Sequence, residues 1–423
     1  MISILSISFL LIMVMGAPIM TALGLSAAAA LQAGDRPLLI VVQMAFQSLD
    51  SFSLMAVPFF ILAGHLMQSG GIARRLVRLA NAMVGWIRGG LGAVAVLTSM
   101  LFATVSGSSS ATTAAIGSVL IPEMEKKGYP RSFAASIAAS SGELGAIIPP
   151  SIPMIVYALT ANVSVGALFI AGILPGLLIT ASLILTVCVM ASIGGFDEVT
   201  RVGAKEWLKE IVAAFREATL ALLMPVVILG GIYGGLFTAT EASCIAVLYG
   251  LFLGMFVYKE IAPKDLLGVF ARAAVMSSII LLIVAFAAVF AYLLTINQVP
   301  QRVAAVIGSV TTSPFVFLLL VNGMLFVVGM FIEALAAILI IVPILAPISL
   351  SFGIDPIHFG IVVIVNLAVG MVTPPVGVNL FVVCEVANLK MHELARHLVI
   401  FLAVLVADIV IISYVPVIST FFL

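Results

Sequence analysis

Charged residues are scarce in this chain, and their scarcity excludes most soluble architectures. Only 9% of the 423 residues are Asp, Glu, Lys or Arg, whereas 63% are hydrophobic, and the mean hydropathy is +1.34. A soluble domain cannot cover its surface with so few polar side chains. The 18 basic and 18 acidic residues cancel, so no net charge favours a nucleic-acid partner. The composition predicts a polytopic membrane protein embedded in a lipid bilayer.

Reactive and nucleotide-binding residues are equally sparse. The three cysteines, Cys188, Cys244 and Cys384, lie in apolar stretches without the spacing of a disulfide framework or a metal site. The sequence has no GxxxxGK[ST] loop, so energy from ATP would need another chain. His65 is the only histidine inside a predicted span, and it has no assignable partner for hydrolysis. We therefore expect no enzyme, no cofactor and no transition metal.

Two Gly-Pro-Pro segments resemble each other, one in each half of the chain. Gly145 to Pro150 reads Gly-Ala-Ile-Ile-Pro-Pro, and Gly370 to Pro375 reads Gly-Met-Val-Thr-Pro-Pro; we call the shift in numbering from Gly145 to Gly370 the repeat offset. A double proline removes two backbone donors, so a helix cannot continue through either segment. Unpaired backbone in a membrane persists only where it is buried in protein or lines a cavity. Matching breaks in two halves therefore predict the binding site of a transporter.

Apolar runs predict an all-α membrane fold with two kinds of irregular element. Two regions, about 89–122 and 312–347, have arms too short to cross a ~30 Å core, so they predict re-entrant helical hairpins. Charge at helical spacing predicts interfacial helices at 71–85, 197–216 and 260–272. The remaining runs predict spans near 2–31, 53–69, 167–193, 217–234, 241–258, 273–296 and 397–421, and broken helices at about 131–162 and 357–388.

Basic residues flank the two hairpins unequally. Lys and Arg residues precede and follow the first hairpin, whereas only Arg302 precedes the second, and the loop after it, from Ser349 to His358, has none. The positive-inside rule then opens the first hairpin to the cytoplasm and the second to the outside. About nine crossings follow, with a cytoplasmic N-terminus and a periplasmic C-terminus. Residues 1–195 and 241–423 would form an inverted repeat, joined over 196–240 by an amphipathic cytoplasmic linker and a connecting span.

The hairpin tips and the breaks together predict two sodium sites. The first tip is rich in hydroxyls, and the break after it frees carbonyl oxygens at helix ends. Serine and threonine also bond commonly to their own helix turn, which is the alternative here. Glu333 is either a structural hydrogen-bonding acid or part of the ion path. The candidate ligands are Ser106, Ser108, Ser109, Ser110, Gly145, Ile148 and Pro150 for site 1, and Gly329, Glu333, Gly370, Val372, Thr373 and Val376 for site 2.

Helix N-termini near the predicted sodium sites indicate which class of substrate binds. Two hairpins and two broken helices would point several partly positive N-termini at one point near the middle of the membrane. A small organic anion could be held there, although no predicted span carries Lys or Arg deep in its interior. Asn379 is the best side-chain donor to substrate, and capping of the freed helix end is the alternative. The candidate substrate residues are Ser108, Ser109, Ser151, Pro374, Pro375 and Asn379.

Five stretches resemble the large membrane subunit of tripartite ATP-independent periplasmic (TRAP) transporters. One departure is Ala239, where the family usually has proline. The likeness covers nearly the whole chain in the family's order. The five stretches are Ser106 to Thr112, Pro149 to Pro153, Gly230 to Ala242, Gly329 to Glu333 and Val372 to Asn379.

The resemblance implies a function and a mechanism. The family imports organic acids, such as carboxylates and sulfonates, across the bacterial inner membrane with a sodium gradient. It implies a periplasmic binding protein, a small membrane subunit of about four helices, and an elevator motion of a domain carrying both hairpins. The implied sodium sites fall on Ser106–Ser110 with Gly145–Pro150, and on Gly329–Glu333 with Gly370–Val376. Two alternatives stay open: a sodium-coupled carrier without a binding protein, and an ion or solute channel.

Overall fold

The protein is helical throughout the described residues, 1–196 and 203–423 of a computed structural model. Seven helices in this part of the chain are long and apolar enough to span a membrane, and two bent helix pairs raise the number to nine. Many large apolar side chains are exposed, among them Val14 and Leu267. Exposed apolar surface on this scale suits contact with lipid. The predicted all-α membrane class is confirmed.

The first part of the chain forms a helical pair. α1 (Ile2–Val14) and α2 (Ile19–Ala33) pack against each other across a turn in which Gly16 has a φ of 79°. The predicted single span over 2–31 is therefore wrong, because glycine and Pro18 break the helix despite the continuous apolar run. The expected cytoplasmic N-terminus depended on that single crossing, so the count of spans no longer supports it.

The predicted span at 53–69 is the second member of a bent pair. α3 (Leu39–Leu49), which is absent from the predicted elements, meets the segment containing α4 (Ala56–Ser69) at 73°. α5 (Ile72–Val84) follows as a separate amphipathic helix with its apolar face buried, as predicted for residues 71–85. The chain thus reaches the first hairpin through a bend and a short helix.

Two predicted interfacial stretches are the first parts of long helices. α12 (Ala204–Tyr233) contains the described part of 197–216 and the span after it, whereas residues 197–202, including Arg201, lie outside the described residues. α14 (Pro263–Ile296) joins the stretch 260–272 to the next span in one helix of 34 residues. No proline or glycine falls at either predicted boundary, so both helices continue. At 1.5 Å per residue α14 is about 50 Å long, well beyond a ~30 Å hydrocarbon core.

The same order of helices occurs twice along the chain. α7 and α17 illustrate the repeat offset, because both have 18 residues and they begin at the equivalent positions Ser109 and Ala334. α13 (Ala239–Phe252) lies between the two sets, and α21 (Val417–Thr420) ends the chain. The first set is α4, α5, α6 (Gly90–Ser106), α7 (Ser109–Lys126), α8 (Arg131–Gly142), α9 (Leu144–Ile147), α10 (Ile152–Ala161) and α11 (Val165–Gly194). The second set is the last part of α14, α15 (Val299–Val310), α16 (Pro314–Phe331), α17 (Ala334–Ser351), α18 (Pro356–Gly370), α19 (Val378–Ala387) and α20 (Met391–Tyr414).

The hairpins and breaks follow the predicted segments, but the arms of the second hairpin are longer than predicted. α16 and α17 have 18 residues each and are among the helices long enough to span a membrane, so the prediction that these arms are too short to cross is wrong. That the hairpins are re-entrant stays a prediction. Pro122 and Pro347 lie inside α7 and α17, so both hairpins continue about one helical turn beyond their predicted ends. A proline removes one donor and bends a helix without always ending it. The breaks occupy 148–151 and 371–377, inside the predicted broken helices. That the two sets cross the membrane in opposite directions stays a prediction.

Ion pairs gather three basic segments at one end of the molecule. Arg74 in α5 pairs with Glu260, just before α14, at 2.9 Å. Arg78, one turn later in α5, pairs with Glu210 near the start of α12 at 3.0 Å. α5, the start of α12 and the loop before α14 therefore lie together, and we refer to this region as the basic end.

Candidate functional site

The first hairpin tip contacts the first break directly. Gly107 joins α6 to α7 with a φ of 60°, and its carbonyl oxygen accepts a hydrogen bond from Ile152 N at 3.2 Å. Gly145 has no free space on the tip side: a Cβ there would overlap the Ser108 carbonyl oxygen and lie 2.6 Å from Thr112 Oγ1. Glycine allows this approach because it has no side chain. The tip and the break therefore lie side by side.

The hydroxyls of the first tip bond to one another and to their own turn. Ser106 Oγ lies 2.7 Å from Thr112 Oγ1, which donates to the Ser108 carbonyl oxygen at 2.9 Å. Ser108 Oγ lies 3.3 Å from Ser110 Oγ. These are the local bonds that hydroxyl-rich segments commonly form. They also collect three oxygens, from Ser106, Ser108 and Thr112, in one group beside the break.

The first break uses its serine as a helix cap. Ser151 Oγ accepts from Met154 N at 3.4 Å and donates to the Ala146 carbonyl oxygen at 2.5 Å. This hydroxyl is buried, and it already donates and accepts one hydrogen bond within the protein. α9 ends just before Ile148, whose extended backbone leads to the prolines, so carbonyl oxygens here lack helical donors. Ile148 and Pro150 can offer only main-chain oxygens.

The second tip and the second break meet in a corresponding way. Gly377 N donates to the Met330 carbonyl oxygen at 2.9 Å, much as the first half bonds its break to its tip. Gly329 and Gly370 pack backbone to backbone, because a Cβ on Gly329 would lie 2.9 Å from the Gly370 Cα. The repeat offset relates Gly370 to Gly145, so each set has a glycine at the same contact.

The second tip and break carry fewer hydroxyls than the first. Glu333 caps α17, and its carboxylate accepts from the first turn of that helix at 3.1 Å. Thr373 Oγ1 donates to the Val369 carbonyl oxygen at 2.8 Å, which leaves the hydroxyl lone pairs free to accept or to bind an ion. The other predicted ligands at this break, Val372 and Val376, can contribute only main-chain oxygens.

Asn379 is buried at the start of α19 with both side-chain polar atoms unpaired among the described residues. Gly377 occupies the cap position of α19 and no side chain caps this helix, so the alternative role of Asn379 as a cap is not observed. Its main-chain N donates to the Met371 carbonyl oxygen at 3.0 Å and holds the residue at the break. An unsatisfied buried amide costs about 1–3 kcal/mol, so it calls for an ion, a ligand or a water.

A cavity of about 480 Å³, which we call the central cavity, lies between the two hairpin tips. The first residues of five helices, α2, α7, α10, α17 and α19, line it together with an apolar face of α14. Helix N-termini carry partial positive charge and favour an anion. Among the described residues no Lys or Arg lines the cavity, and Glu333 is its charged side chain.

The central cavity includes some predicted site residues and leaves out others. Ser108, Ser109, Ser110 and Glu333 line it, so the tips of both halves meet there. Ser109 Oγ donates to Met371 Sδ at 3.9 Å, which links the first tip to the second break. The predicted substrate residues that do not line it are Ser151, Pro374, Pro375 and Asn379.

Three parts of the cavity wall are missing from the residues predicted by sequence. Gly16 and Pro18 are turn signals, but they lie within an apolar run that reads as one span. The α14 residues are aliphatic, and no local pattern separates a cavity wall from a lipid-facing surface. The missing parts are Pro18 to Met20, Leu335 and Ala336 of α17, and Met276, Ile279, Ile280 and Ile283 of α14.

Residues 6–418 match the family model described as "Tripartite ATP-independent periplasmic transporter, DctM component". The chain belongs to the DctM family. The resemblance to TRAP large subunits that the sequence motifs indicate is thereby confirmed.

Named DctM relatives transport different substrates. The isethionate TRAP transporter permease protein DctMQ of Oleidesulfovibrio alaskensis is 44% identical over 98% of this chain, which spans 65% of that protein. The C4-dicarboxylate TRAP transporter large permease protein DctM of Pseudomonas aeruginosa is 44% identical over 88% of this chain and 87% of its own. The sialic acid TRAP transporter large permease protein SiaM of Vibrio cholerae is 38% identical over 84% of this chain and 82% of its own. Family membership therefore identifies a transporter permease without naming its substrate.

A solved structure shares the helical arrangement of this DctM-family chain. The crystal structure of the Alcanivorax borkumensis YdaH transporter matches with a TM-score of 0.64 over 88% of this chain and 86% of that chain. The two sequences are 18% identical, so the likeness concerns the fold alone.

Proposed function

We propose that this chain is the large transmembrane subunit of a sodium-coupled TRAP transporter that imports a small organic anion. The central cavity carries the proposal, because five helix N-termini line it and both hairpin tips meet there. The substrate would be a carboxylate or a sulfonate. The relatives named for isethionate, C4-dicarboxylates and sialic acid support this class.

Sodium would bind where each tip meets its break. At site 1, the Ser106 and Thr112 hydroxyls and the Ser108 carbonyl supply neutral oxygens, which suit a hard monovalent cation. At site 2, the Thr373 hydroxyl and main-chain oxygens around Gly370 would serve, with Glu333 on the facing tip. The unpaired Asn379 amide stands beside this break and would complete the ion shell or reach the substrate.

Charge would couple the ion to the anion. The Glu333 carboxylate lines the central cavity and opposes an anionic substrate there. The oxygens of the tip and of the break would hold Na⁺ between them, and its charge would offset that of Glu333. The cavity would then accept the anion favourably only when sodium is present, which is the requirement for symport.

An elevator motion would expose the central cavity alternately to the two sides. The re-entrant hairpins and broken helices would move as one body against a scaffold that includes α4 and α14, and α14 supplies the apolar wall of the cavity. Opposite orientation of the two repeats would give each hairpin access from one side.

The complex would lie in the bacterial inner membrane and contain two further proteins. A small membrane subunit of about four helices would pack against this chain, and a periplasmic binding protein would deliver the substrate. The DctMQ relative exceeds this chain in length, since the chain spans 65% of it, and this supports a further membrane part.

Uptake into proteoliposomes tests the proposal, with labelled succinate and labelled isethionate as probes. The vesicles contain this chain with its small subunit, and the Na⁺ gradient and the binding protein are each supplied or withheld. Uptake that requires both supports the proposal. Uptake that needs Na⁺ but not the binding protein favours a carrier without a binding protein. Electrical recording from the same vesicles tests the last alternative, because single-channel currents that do not depend on Na⁺ favour a channel.

Thermal unfolding provides a readout that does not depend on the substrate. Sodium bound to the folded state raises Tm by mass action, whereas potassium at equal ionic strength should not. Equal Tm values in NaCl and KCl would contradict the two sodium sites.

A further inference from the structure

α14 lines the central cavity and two further cavities that follow it towards the start of the helix. Met276 and Ile280 line the central cavity, and Met276 also lines a second cavity of about 270 Å³. Arg272, one turn earlier, lines a third cavity of about 450 Å³ together with Lys264. Residues four apart are neighbours on a helix surface, so Arg272, Met276 and Ile280 form one inclined row of side chains. The row leads from the central cavity to the basic end.

The second cavity lies between α4 and the first hairpin tip. The α4 residues that line it recur every three or four positions, as on one face of a helix. The serines of the first tip form the opposite wall. The first tip therefore separates this space from the central cavity, and movement of the tip would join them. The α4 wall consists of Ile61, Gly64, His65 and Gln68. The residues common to the two cavities are Ser108, Ser110, Ile152 and Met276.

The polar residues of the α4 wall have free hydrogen-bonding capacity. Neither the His65 nor the Gln68 side chain has a hydrogen-bond partner among the described residues. The two lie one turn apart on the same face, and Arg272 is within electrostatic reach of His65. Hydrogen-bonding side chains and a nearby cation are thus available at the second cavity.

The third cavity has unpaired positive charge. Its Glu260 is paired with Arg74 at 2.9 Å, and its Asp265 accepts from the main chain before α14 at 3.2 Å. Lys264 and Arg272, by contrast, make no ion pair within the described part of the chain. Asp265 keeps its negative charge in that hydrogen bond, so the two unpaired cations exceed the unpaired acid by one charge, and an anion would be attracted to the cavity.

We propose that the second and third cavities form a release path for the transported anion, with Gln68, His65 and Arg272 as its binding residues. The path rests on the proposed function, because it requires an anionic substrate. A carboxylate or sulfonate leaving the central cavity would accept hydrogen bonds from the α4 wall and then pair with Arg272. Lys264 stands nearer the exit, and the basic end faces the cytoplasm by the positive-inside rule.

The charge selectivity of the path can be measured without knowing the substrate. Gln68→Cys is introduced after serine replaces Cys188, Cys244 and Cys384, and the membrane complex is placed in lipid nanodiscs. The reaction rates of the anionic methanethiosulfonate ethylsulfonate and of the cationic ethyltrimethylammonium reagent are each divided by the rate with free cysteine. We expect the normalised ratio to favour the anionic reagent by about tenfold and to fall as ionic strength rises.

Charge variants identify the source of that preference. Arg272→Gln should lower the normalised ratio by about fivefold, and Arg272→Lys should retain it. Arg396→Gln is the matched control, because Arg396 is exposed on α20 and lines none of the three cavities. Ser69→Cys, in the third cavity, is a second reporter if Gln68→Cys folds poorly.

A ratio near one at both reporters would overturn the release path, and so would equal losses in Arg272→Gln and Arg396→Gln. These outcomes do not depend on whether transport is coupled to Na⁺, since the reagents report only on the charge near the introduced cysteine. Uptake of succinate and isethionate that ignores Na⁺ would instead refute the proposed function. The two failures are therefore distinguishable.

Discussion

The two tip–break contacts share a backbone arrangement and differ in their side chains. In each half, a main-chain N beside the second half-helix donates to the tip, and an equivalent glycine lies against that tip. The first contact is surrounded by the hydroxyls of Ser106 and Thr112, whereas the second has the Glu333 carboxylate and the unpaired Asn379 amide. The repeat thus preserves the geometry that exposes main-chain oxygens and varies the charge around them.

Adding a side chain at the shared glycine contact should have the largest effect on Na⁺-driven uptake, and the effect should be similar in both halves. Gly145→Ala would place a Cβ over the Ser108 carbonyl, and Gly370→Ala would place one over Gly329. We expect each variant to lower Na⁺-driven uptake by about 100-fold, because small displacements separate the ligands of a site. Gly323→Ala in α16 is the control, since a Cβ there meets no atom within 4 Å. Normal uptake by either variant would show that the close contact is dispensable.

The difference in charge between the two tips should give the second-largest effect on uptake. The repeat offset relates Ser108 to Glu333, and both residues cap the second hairpin helix and line the central cavity. Glu333→Gln should lower uptake by about 10- to 100-fold, since contacts of a charged group are worth about 1.5–3 kcal/mol. Ser108→Ala should cost about 2- to 10-fold, as expected for a neutral group. Initial uptake rates at matched protein abundance provide the comparison. Equal losses of uptake would show that the charge of Glu333 does not make it more important than Ser108.

Asn379 tests whether the unpaired amide has a function that its repeat partner lacks. By the repeat offset, its counterpart in the first half is Met154, which is buried and apolar. Asn379→Leu should keep or raise Tm, because it removes an unsatisfied polar group, while uptake falls by about tenfold. Met154→Leu should change neither quantity much. If Asn379→Leu instead lowered Tm and left uptake intact, the amide would have a purely structural role.

Single hydroxyls should give the smallest effects and compare the two sodium sites directly. Thr112→Ala and Thr373→Ala each remove one neutral oxygen, so the Na⁺ concentration for half of the Tm increase should rise about 2- to 10-fold. Protein abundance should be unchanged, and serine at either position should restore the Na⁺ response. A variant with an unaltered Na⁺ response would exclude that threonine from its site.

The irregular backbone was predictable because its causes are local. A proline pair cannot donate to the preceding turn, so both breaks fall inside the predicted broken helices. Short turn segments between apolar arms indicate the hairpins, and the hairpin ends differ from those predicted by only about one helical turn. The arm length was misjudged in the second hairpin, because α16 and α17 are long enough to span a membrane. Apolar content alone could not reveal the turn at Gly16, because lipid and protein interiors favour the same side chains. For the same reason, α3 and the full lengths of α12 and α14 were not predictable.

By itself, the sequence determined the membrane class through its composition and the repeated order of helices through its proline and glycine breaks. It indicated the family through the resemblance of five stretches to TRAP large subunits. Tertiary structure alone decided which candidate residues meet. It brings Ser108 and Glu333 to one cavity, uses Ser151 as a buried cap, leaves Asn379 unpaired, and makes α14 the opposite wall. These outcomes depend on packing between segments far apart in the chain, and a side chain's neighbours in space are not encoded in its neighbours in sequence.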